Sequence, residues 1–421
     1  MQRSDLLRLD TIFGAPKLHQ TKLTHRSSVA PEIYLKLLNL LVLIGTETTL
    51  NYTTPEPIFR ARNRLGKAPK SGDLRPVPRI EKGSSSNSCW PGFLMKKVTC
   101  VLIPLLLLGL SPSLWASVDP LQLMISGRAD QAVQQLLARV QVDPKDGNAY
   151  NLLSRVFFAE EDGDRAAEAG EKAVALNGGS SEFHDWLGRA YGLKADHSGT
   201  RAAYSLAKKV RAEFERAVAL DKSNIQAAKD LVEYYLDAPG FLGGGKDKAA
   251  QVADQLVAID LPVAHWIRAR VAQKNKDFGA AENEYKAEIA ASKQKAEAWL
   301  DLATFYQQQK QTDKMDDAVQ HALRENVAGT STLFDAANLY YRAGVNLPHA
   351  LELLHRYLDS NMAEDAPGFQ AHYLLGEIDQ KQSDVKAAAN EFRAALAEAS
   401  QYTDARDALN KLTASQVASR Q

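Results

Sequence analysis

Cysteine is nearly absent from this 421-residue chain, in which only Cys89 and Cys100 occur. Because no cysteine follows residue 100, neither a disulfide framework nor a thiolate metal site can form in the larger part of the chain. His-Glu-x-x-His and Gly-x-Ser-x-Gly sequences are also missing, and the nine histidines are scattered. These absences predict a protein that is not an enzyme, has no metal site and has no cofactor.

An excess of positive charge is missing as well. Residues 117–421 carry 35 Lys and Arg against 44 Asp and Glu, whereas residues 1–94 carry 14 against 7. Nucleic-acid binding requires clustered Lys and Arg that contact phosphates. We therefore expect no nucleic acid among the partners of the acidic part.

Apolar runs are too short to span a bilayer, which takes about 20 residues. Residues 95–116 instead have the pattern of a secretory signal peptide. Two lysines follow Met95, Val101–Leu110 form a short apolar core, and the segment ends at Ala116. The sequence therefore predicts cleavage after Ala116 and a periplasmic or secreted mature protein.

Residues 1–94, which precede this signal, are basic and proline-rich and show no sustained periodicity. One hypothesis is that translation starts at Met95 and that the upstream segment is mis-assigned or disordered. The other is that it forms a cytoplasmic tail ahead of an uncleaved membrane anchor. An N-terminus near Ser117 in the native protein would exclude the tail.

From residue 119 onward the chain repeats a pair of amphipathic helices. In the first helix a large residue is followed by Leu at +3, a small residue at +4 and usually an aromatic residue at +7. Residues three and four apart are neighbours on a helix, so the small residues lie where helices touch. The clearest first helices are Tyr150-Leu153-Ser154-Phe157, His184-Leu187-Gly188-Tyr191, Trp299-Leu302-Ala303-Tyr306 and His372-Leu375-Gly376-Asp379. The clearest second helices are Ala166-Gly170-Ala173 and Ala388-Phe392-Ala395.

A reference position in the second helices recurs at residues 132, 166, 210, 249, 280, 315, 350 and 388. This pattern, at a period near 34, resembles the tetratricopeptide repeat (TPR) of exported bacterial proteins. The resemblance implies an all-α fold, a right-handed α-solenoid of about eight helix pairs over residues 117–400. Residues 401–421 are expected to form a capping helix and a tail.

Two of the eight units are enlarged. The third has ten extra residues, which predict a second helix lengthened by nearly three turns. The fourth contains the glycine-rich insertion Ala238–Lys246, which cannot be helical and is expected to expose Phe241 and Leu242 unless they pack on a neighbour or a partner. The Gly240–Lys246 stretch also has the spacing of a phosphate-binding loop, but Asp247 stands where such a loop requires a hydroxyl.

The TPR resemblance implies that two positions of each first helix line the concave surface. In the second to fourth units these are Asn151 and Arg155, Asp185 and Arg189, and Lys229 and Glu233. In the later units they are His265 and Ala269, Leu300 and Thr304, Asp335 and Leu339, and Tyr373 and Glu377. Stacked cations can hold an acidic segment or a peptide carboxylate, so the candidate binding residues are Asn151, Arg155, Arg189 and Lys229. The Lys and Asn set of chaperone-binding TPR proteins is not reproduced.

The favoured function is a protein–protein interaction scaffold of the periplasm or cell envelope that binds partner segments in its concave groove. The expected partners are other proteins or peptides, and membrane contact arises only through the signal or anchor segment. One alternative is a membrane-anchored TPR adaptor with a cytoplasmic N-terminal tail. The other is a nucleotide-binding protein that uses the Gly240–Lys246 loop.

Overall fold

The computed structural model describes residues 118–325, 327 and 329–418. These residues form 17 α-helices, one short 3₁₀-helix and, apart from a single bridge between Ala363 and Ala366, no β-structure. No helix in these ranges combines the length and the apolar character needed to cross a membrane. The segment 1–94 and the expected signal peptide at residues 95–116 lie outside the described residues.

The helices form eight consecutive pairs followed by one last helix. The first helices of the pairs are α1 (Pro120–Ile125), α3 (Gly147–Ala159), α5 (Ser181–Asp196), α7 (Ile225–Asp237), α9 (Leu261–Lys274), α11 (Ala296–Gln308), α13 (Thr332–Ala343) and α15 (Gly368–Lys381). The second helices are α2 (Ala129–Val142), α4 (Gly163–Leu176), α6 (Thr200–Leu220), α8 (Lys246–Leu256), α10 (Phe278–Ala291), α12 (Thr312–Ala322), α14 (Leu347–Leu358) and α16 (Val385–Glu398). The last helix is α17 (Thr403–Ala418). The predicted all-α solenoid of eight helix pairs is confirmed.

Short turns join the two helices in six of the eight units, and each turn contains a residue in the left-handed backbone region directly after or near the end of the first helix; the turn of the seventh unit has a second one, Asn346. This conformation ends a helix because it redirects the chain while satisfying the last carbonyl groups. The residues, with φ between 57° and 81°, are Gly127, Glu161, Lys276, Lys310, Gly344 and Ser383. The third and fourth units have different connections, since α6 is lengthened to 21 residues and residues 238–245 separate α7 from α8.

Small residues allow the two helices of a unit to approach closely. A Cβ atom added to Gly188 in α5 would lie 2.5 Å from the ring of Phe214 in α6, and Gly376 has the same relation to Phe392 in the eighth unit. Both phenylalanine rings are almost completely buried. The small residue at +4 of the first helix is therefore required by an aromatic ring of the second helix.

Helix α17 covers the end of the eighth unit, as the sequence predicts. The ring of Tyr402, just before α17, lies 5.2 Å from the ring of Phe369 and 5.5 Å from that of Tyr373 in α15. Tyr402 is fully buried, and Leu412 in α17 is 4% exposed. The apolar face of the last pair is thereby removed from solvent.

The first two units and the last unit are also in contact, which the sequence pattern did not predict. Ser400 donates hydrogen bonds from its amide and hydroxyl to the Asp130 carboxylate of α2, at 3.0–3.3 Å. The side-chain amide of Gln370 donates to the carbonyl of Ala159 at 3.0 Å. These partners are 270 and 211 residues apart, so the array closes on itself after eight units.

Candidate functional site

The predicted groove residues lie on three successive first helices, Asn151 and Arg155 on α3, Arg189 on α5 and Lys229 on α7. Two of them meet at one aromatic ring. The guanidinium carbons of Arg155 and Arg189 lie 5.2 and 4.4 Å from the ring centroid of Trp186. The structure therefore brings the two arginines together at the half-buried indole of Trp186, a residue of α5, whose ring face attracts positive charge.

Arg155 is held by carboxylates from other units. Its Nε and one terminal nitrogen donate to the two carboxylate oxygens of Glu364 at 2.6 and 2.5 Å, and its other terminal nitrogen donates to Glu182 at 2.9 Å. The Asn151 amide donates to the same Glu182 oxygen at 3.1 Å. The Arg155 side chain is 12% exposed and that of Glu364 is 29% exposed, so the arginine is the more shielded member of this bidentate pair.

Arg189 lies between two aspartates that are themselves buried. Its Nε donates to Asp230 at 2.6 Å, and a terminal nitrogen lies 3.4 Å from Asp185. Burial raises the pKa of Asp185 to about 8, against the opposing effect of Arg189 and with a further rise from the Asp230 carboxylate. Asp185, the other position of this unit expected to line the concave surface, thus pairs with Arg189.

Lys229 continues the line of cations on α7. Its amino group lies 3.3 Å from the Glu297 carboxylate of α11 and 4.9 Å from the ring centroid of Trp266 in α9. Each of the four predicted groove residues is thus paired with an acidic side chain of this chain, and Asn151 is itself buried, with 2% of its surface exposed. Their role in binding a partner stays a prediction.

The fifth unit corrects one assignment made from the sequence. The positions expected to face the groove were His265 and Ala269, but Ala269 is fully buried. Arg270 takes its place, because its guanidinium donates two hydrogen bonds, of 2.8 and 2.6 Å, to the carboxylate of Glu233 in α7. The sequence assignment for this unit was therefore wrong by one residue, and the equivalent positions are Trp266 and Arg270.

A histidine–glutamate pair recurs inside three units. It shows how the residues of the fifth unit align with those of the other units. In each, Nδ1 of a first-helix histidine lies 2.5–2.7 Å from a glutamate oxygen of the second helix. The pairs are His184–Glu213, His265–Glu284 and His372–Glu391. The spacing is 19 residues in two units and 29 in the third, which has the ten-residue extension. This spacing was the available sequence signal that His265 occupies the packing position.

The two enlarged units meet in a second candidate site. Leu242 of the insertion is 1% exposed, and its carbonyl accepts hydrogen bonds from Arg211 of α6 and the Tyr234 hydroxyl, at 3.1 and 3.0 Å. Phe241 is 53% exposed and stacks on Tyr204, in the extended part of α6, with ring centroids 6.3 Å apart. Of the two residues expected at an exposed tip, Phe241 is exposed and Leu242 is an internal anchor.

Eight consecutive helix pairs, left-handed turns in six of them and a histidine–glutamate pair in three of them decide the identification of the fold. The described residues have the tetratricopeptide-repeat (TPR) fold. The TPR fold is a scaffold for protein interaction, because stacked helix pairs create an extended concave surface.

Comparisons with known proteins add the following similarities. A 142-residue stretch is 29% identical to the cytochrome c-type biogenesis protein CycH of Bradyrhizobium diazoefficiens, covering 34% of this chain and 35% of CycH. Yeast Tom70 is 16% identical with a TM-score of 0.44, covering 69% of this chain and 59% of Tom70. A tetratricopeptide-repeat protein of Parabacteroides merdae is 16% identical with a TM-score of 0.35, covering 63% of this chain and 98% of that protein. No protein-family model matches the chain.

The backbone amides of the glycine-rich insertion donate hydrogen bonds within the insertion and to the end of α7. The amides of Gly243, Gly244 and Gly245 donate to the carbonyls of Gly240, Pro239 and Tyr235 at 2.8–3.3 Å. A phosphate-binding loop directs such amides at its ligand. The loop geometry is therefore different from the one that the nucleotide hypothesis requires.

Proposed function

We propose that this TPR protein is a scaffold of the cell envelope that binds acidic segments of partner proteins at its concave surface. The binding centre is the pair Arg155 and Arg189 on either side of the repeat boundary, with Trp186 beneath them. A segment that carries a carboxylate would bind there through a bidentate contact with a guanidinium group.

One observation supports this proposal above the others. Arg155 already receives the carboxylate of Glu364, which comes from the loop before α15 and not from a neighbouring repeat. The surface can therefore hold a carboxylate that reaches it from outside the second and third units. Glu364 also contributes to the stabilisation of the Arg189 charge.

The setting is proposed from two further facts. The sequence has a signal-peptide pattern at residues 95–116, which supports export to the periplasm or beyond. The partial similarity to CycH favours cytochrome c-type biogenesis as the process in which the scaffold takes part. In this reading the protein catalyses no reaction, and its partners are proteins of that assembly process.

A pull-down from native envelope extract tests the binding function. The full chain would be compared with Arg155→Gln and with Arg268→Gln, in which an arginine paired with Asp254 on a different helix is neutralised. We expect specific partners to be retained by the wild type and the Arg268 variant and lost from the Arg155 variant. An identical set of proteins with all three baits would contradict a role for the arginine surface.

The predicted export is tested separately. N-terminal sequencing of the protein isolated from its native cells should give a start near Ser117. A start within residues 1–94 would instead support the membrane-anchored adaptor with a cytoplasmic tail.

A further inference from the structure

The loop between α14 and α15 supplies the carboxylate that occupies Arg155. We infer that this loop is an internal ligand of the groove, and that a partner binds by replacing Glu364 with a carboxylate side chain of its own short, non-helical segment. This inference rests on the proposed function, because it concerns the same arginine surface, and it adds the form of the partner segment and the way in which access is controlled.

The loop has a defined shape that presents Glu364. The hydroxyl of Tyr357, in α14, accepts a hydrogen bond from the amide of Ala363 at 2.7 Å and donates one to the carbonyl of Ala366 at 2.6 Å. Glu364 lies between these two anchored residues. Asp365, the next acid, is turned the other way and accepts from the hydroxyl of Ser331 at 3.2 Å.

The receiving side is equally specific. The guanidinium of Arg155 donates to both oxygens of Glu364. The planar fork of an arginine matches a carboxylate in this way, whereas a lysine ammonium group acts as a single point charge. Its remaining nitrogen is held by Glu182, which fixes the plane of the fork. Any acidic side chain that enters would meet a preformed and correctly oriented guanidinium.

The contact is strong enough to compete with a partner and weak enough to be replaced. The Glu364 side chain is 29% exposed, so water reaches it and the pair is less stable than a fully buried one. The loop is nevertheless part of the same chain, so its carboxylate is present at a high effective concentration. A partner must therefore overcome an intramolecular competitor, which lowers its apparent affinity in the closed state.

The chemistry of the loop indicates the chemistry of the partner. Residues 361–367 read Asn-Met-Ala-Glu-Asp-Ala-Pro, an acidic centre flanked by small residues and ended by proline. Small flanking residues let the backbone approach the helix surface, and proline prevents a helix across the contact. We expect the natural segment to share these properties, with at least one Glu in a short non-helical stretch.

The experiment uses the loop sequence itself as the probe. A synthetic peptide of residues 360–367, acetylated, amidated and carrying a fluorophore, is titrated into the full chain and followed by fluorescence anisotropy. Weak binding is expected for the wild type and about tenfold tighter binding for Glu364→Gln, because the internal competitor has been removed. Adding Arg155→Gln to Glu364→Gln should abolish the gain, and a peptide with Gln in place of its Glu should not bind.

Matched controls keep the result interpretable. Glu352→Gln removes one exposed carboxylate from α14 and should leave the affinity at the wild-type level. Glu364→Asp keeps the charge but shortens the reach, and its affinity should fall between those of the wild type and Glu364→Gln. If circular dichroism shows that Glu364→Gln is not folded, Glu364→Asp tests on its own whether the loop carboxylate competes with the peptide.

Two outcomes would overturn the inference. Equal, Arg155-dependent binding by the wild type and by Glu364→Gln would show that the loop does not control access, while the proposed carboxylate-binding function would stand. Absence of peptide binding by every variant would show that the loop is no template for a ligand. The pull-down with Arg155→Gln would then decide separately whether the groove binds partners at all.

Discussion

The ion pair between Arg270 and Glu233 offers a quantitative test of what holds neighbouring repeats in place. It joins α9 to α7, and its side chains are only 20% and 5% exposed. The substitution Arg270→Met keeps most of the side-chain stem but removes the charge. Glu233 then keeps a buried carboxylate without its two strongest hydrogen bonds.

Removal of one partner from a buried ion pair costs about 3–5 kcal/mol, because the remaining charge has lost its compensation. Arg270 is one-fifth exposed, and Lys274 supplies a second positive charge near Glu233, so we expect the lower end of that range. Replacing both residues by methionine should bring stability back to within about 1 kcal/mol of the wild type, since a well-packed apolar pair can substitute for a buried ion pair.

The loss of stability caused by Arg270→Met should also depend on pH. Burial raises the pKa of Glu233, and the guanidinium of Arg270 opposes this rise. Without the guanidinium the pKa moves higher, so the folded state binds a proton that the unfolded state releases. Stability then falls as the pH increases above the unfolded value of 4.5, and Arg270→Met should be less destabilising at pH 5 than at pH 8.

Urea unfolding at both pH values, followed by circular dichroism, measures these differences. Arg268→Met, on the same helix but more exposed, is the control and should change stability by less than about 0.5 kcal/mol. The reasoning fails if Arg270→Met is as stable as the wild type at pH 8, or if the double methionine variant is no better than the single one.

Three further predictions concern packing, the insertion and the closure. Gly188→Ala should destabilise the fold by about 1–3 kcal/mol, because its new methyl group would lie 2.5 Å from an aromatic ring. Gly279→Ala, on an open helix surface, is the control and should be neutral or stabilising. Thermal unfolding measures both differences. Leu242→Ala should cost about 2–5 kcal/mol, while Phe241→Ala should leave stability within about 0.5 kcal/mol and lower partner affinity in a pull-down. If Phe241→Ala were more destabilising than Leu242→Ala, Leu242 would not be the buried anchor of the insertion and Phe241 would not be its exposed tip. Burial raises the pKa of Glu160 from 4.5 to about 7, so the stability of the fold decreases as the pH rises across that window. Glu160→Gln should therefore be about 1–3 kcal/mol more stable than the wild type at pH 8, as measured by urea unfolding. A less stable variant at pH 8 would contradict the predicted direction of this effect.

The helix pairs could be predicted from the sequence because each one depends on residues close together in the chain. The small residue at +4 and the aromatic residue of the second helix lie within one unit, as Gly376 and Phe392 illustrate. The lengthened α6 was predictable for the same reason, since its extra residues keep a helical pattern. The signal that fixes the fifth unit was also local, in the 19-residue step from His265 to Glu284, but it becomes visible only when several units are compared.

The electrostatics of the groove could not be predicted in the same way. The expectation that Arg155 and Lys229 share one surface comes from their repeat positions alone. The pairing of Arg155 with Glu364 depends on the rotation between successive units, added up over six units. A small error in each rotation would place that carboxylate elsewhere, so only the assembled structure shows that Arg155 is paired with Glu364.

The contact of Ser400 with Asp130 has a consequence for how this chain can vary. An open repeat array can gain or lose a unit, because each repeat touches only its neighbours. Here one additional helix pair would carry Ser400 past Asp130 by a full step, and one fewer would leave it short. The number of repeats is therefore fixed by geometry, as the number of strands is in a closed β-barrel. Related chains that preserve the closure should vary in loop length but keep eight units.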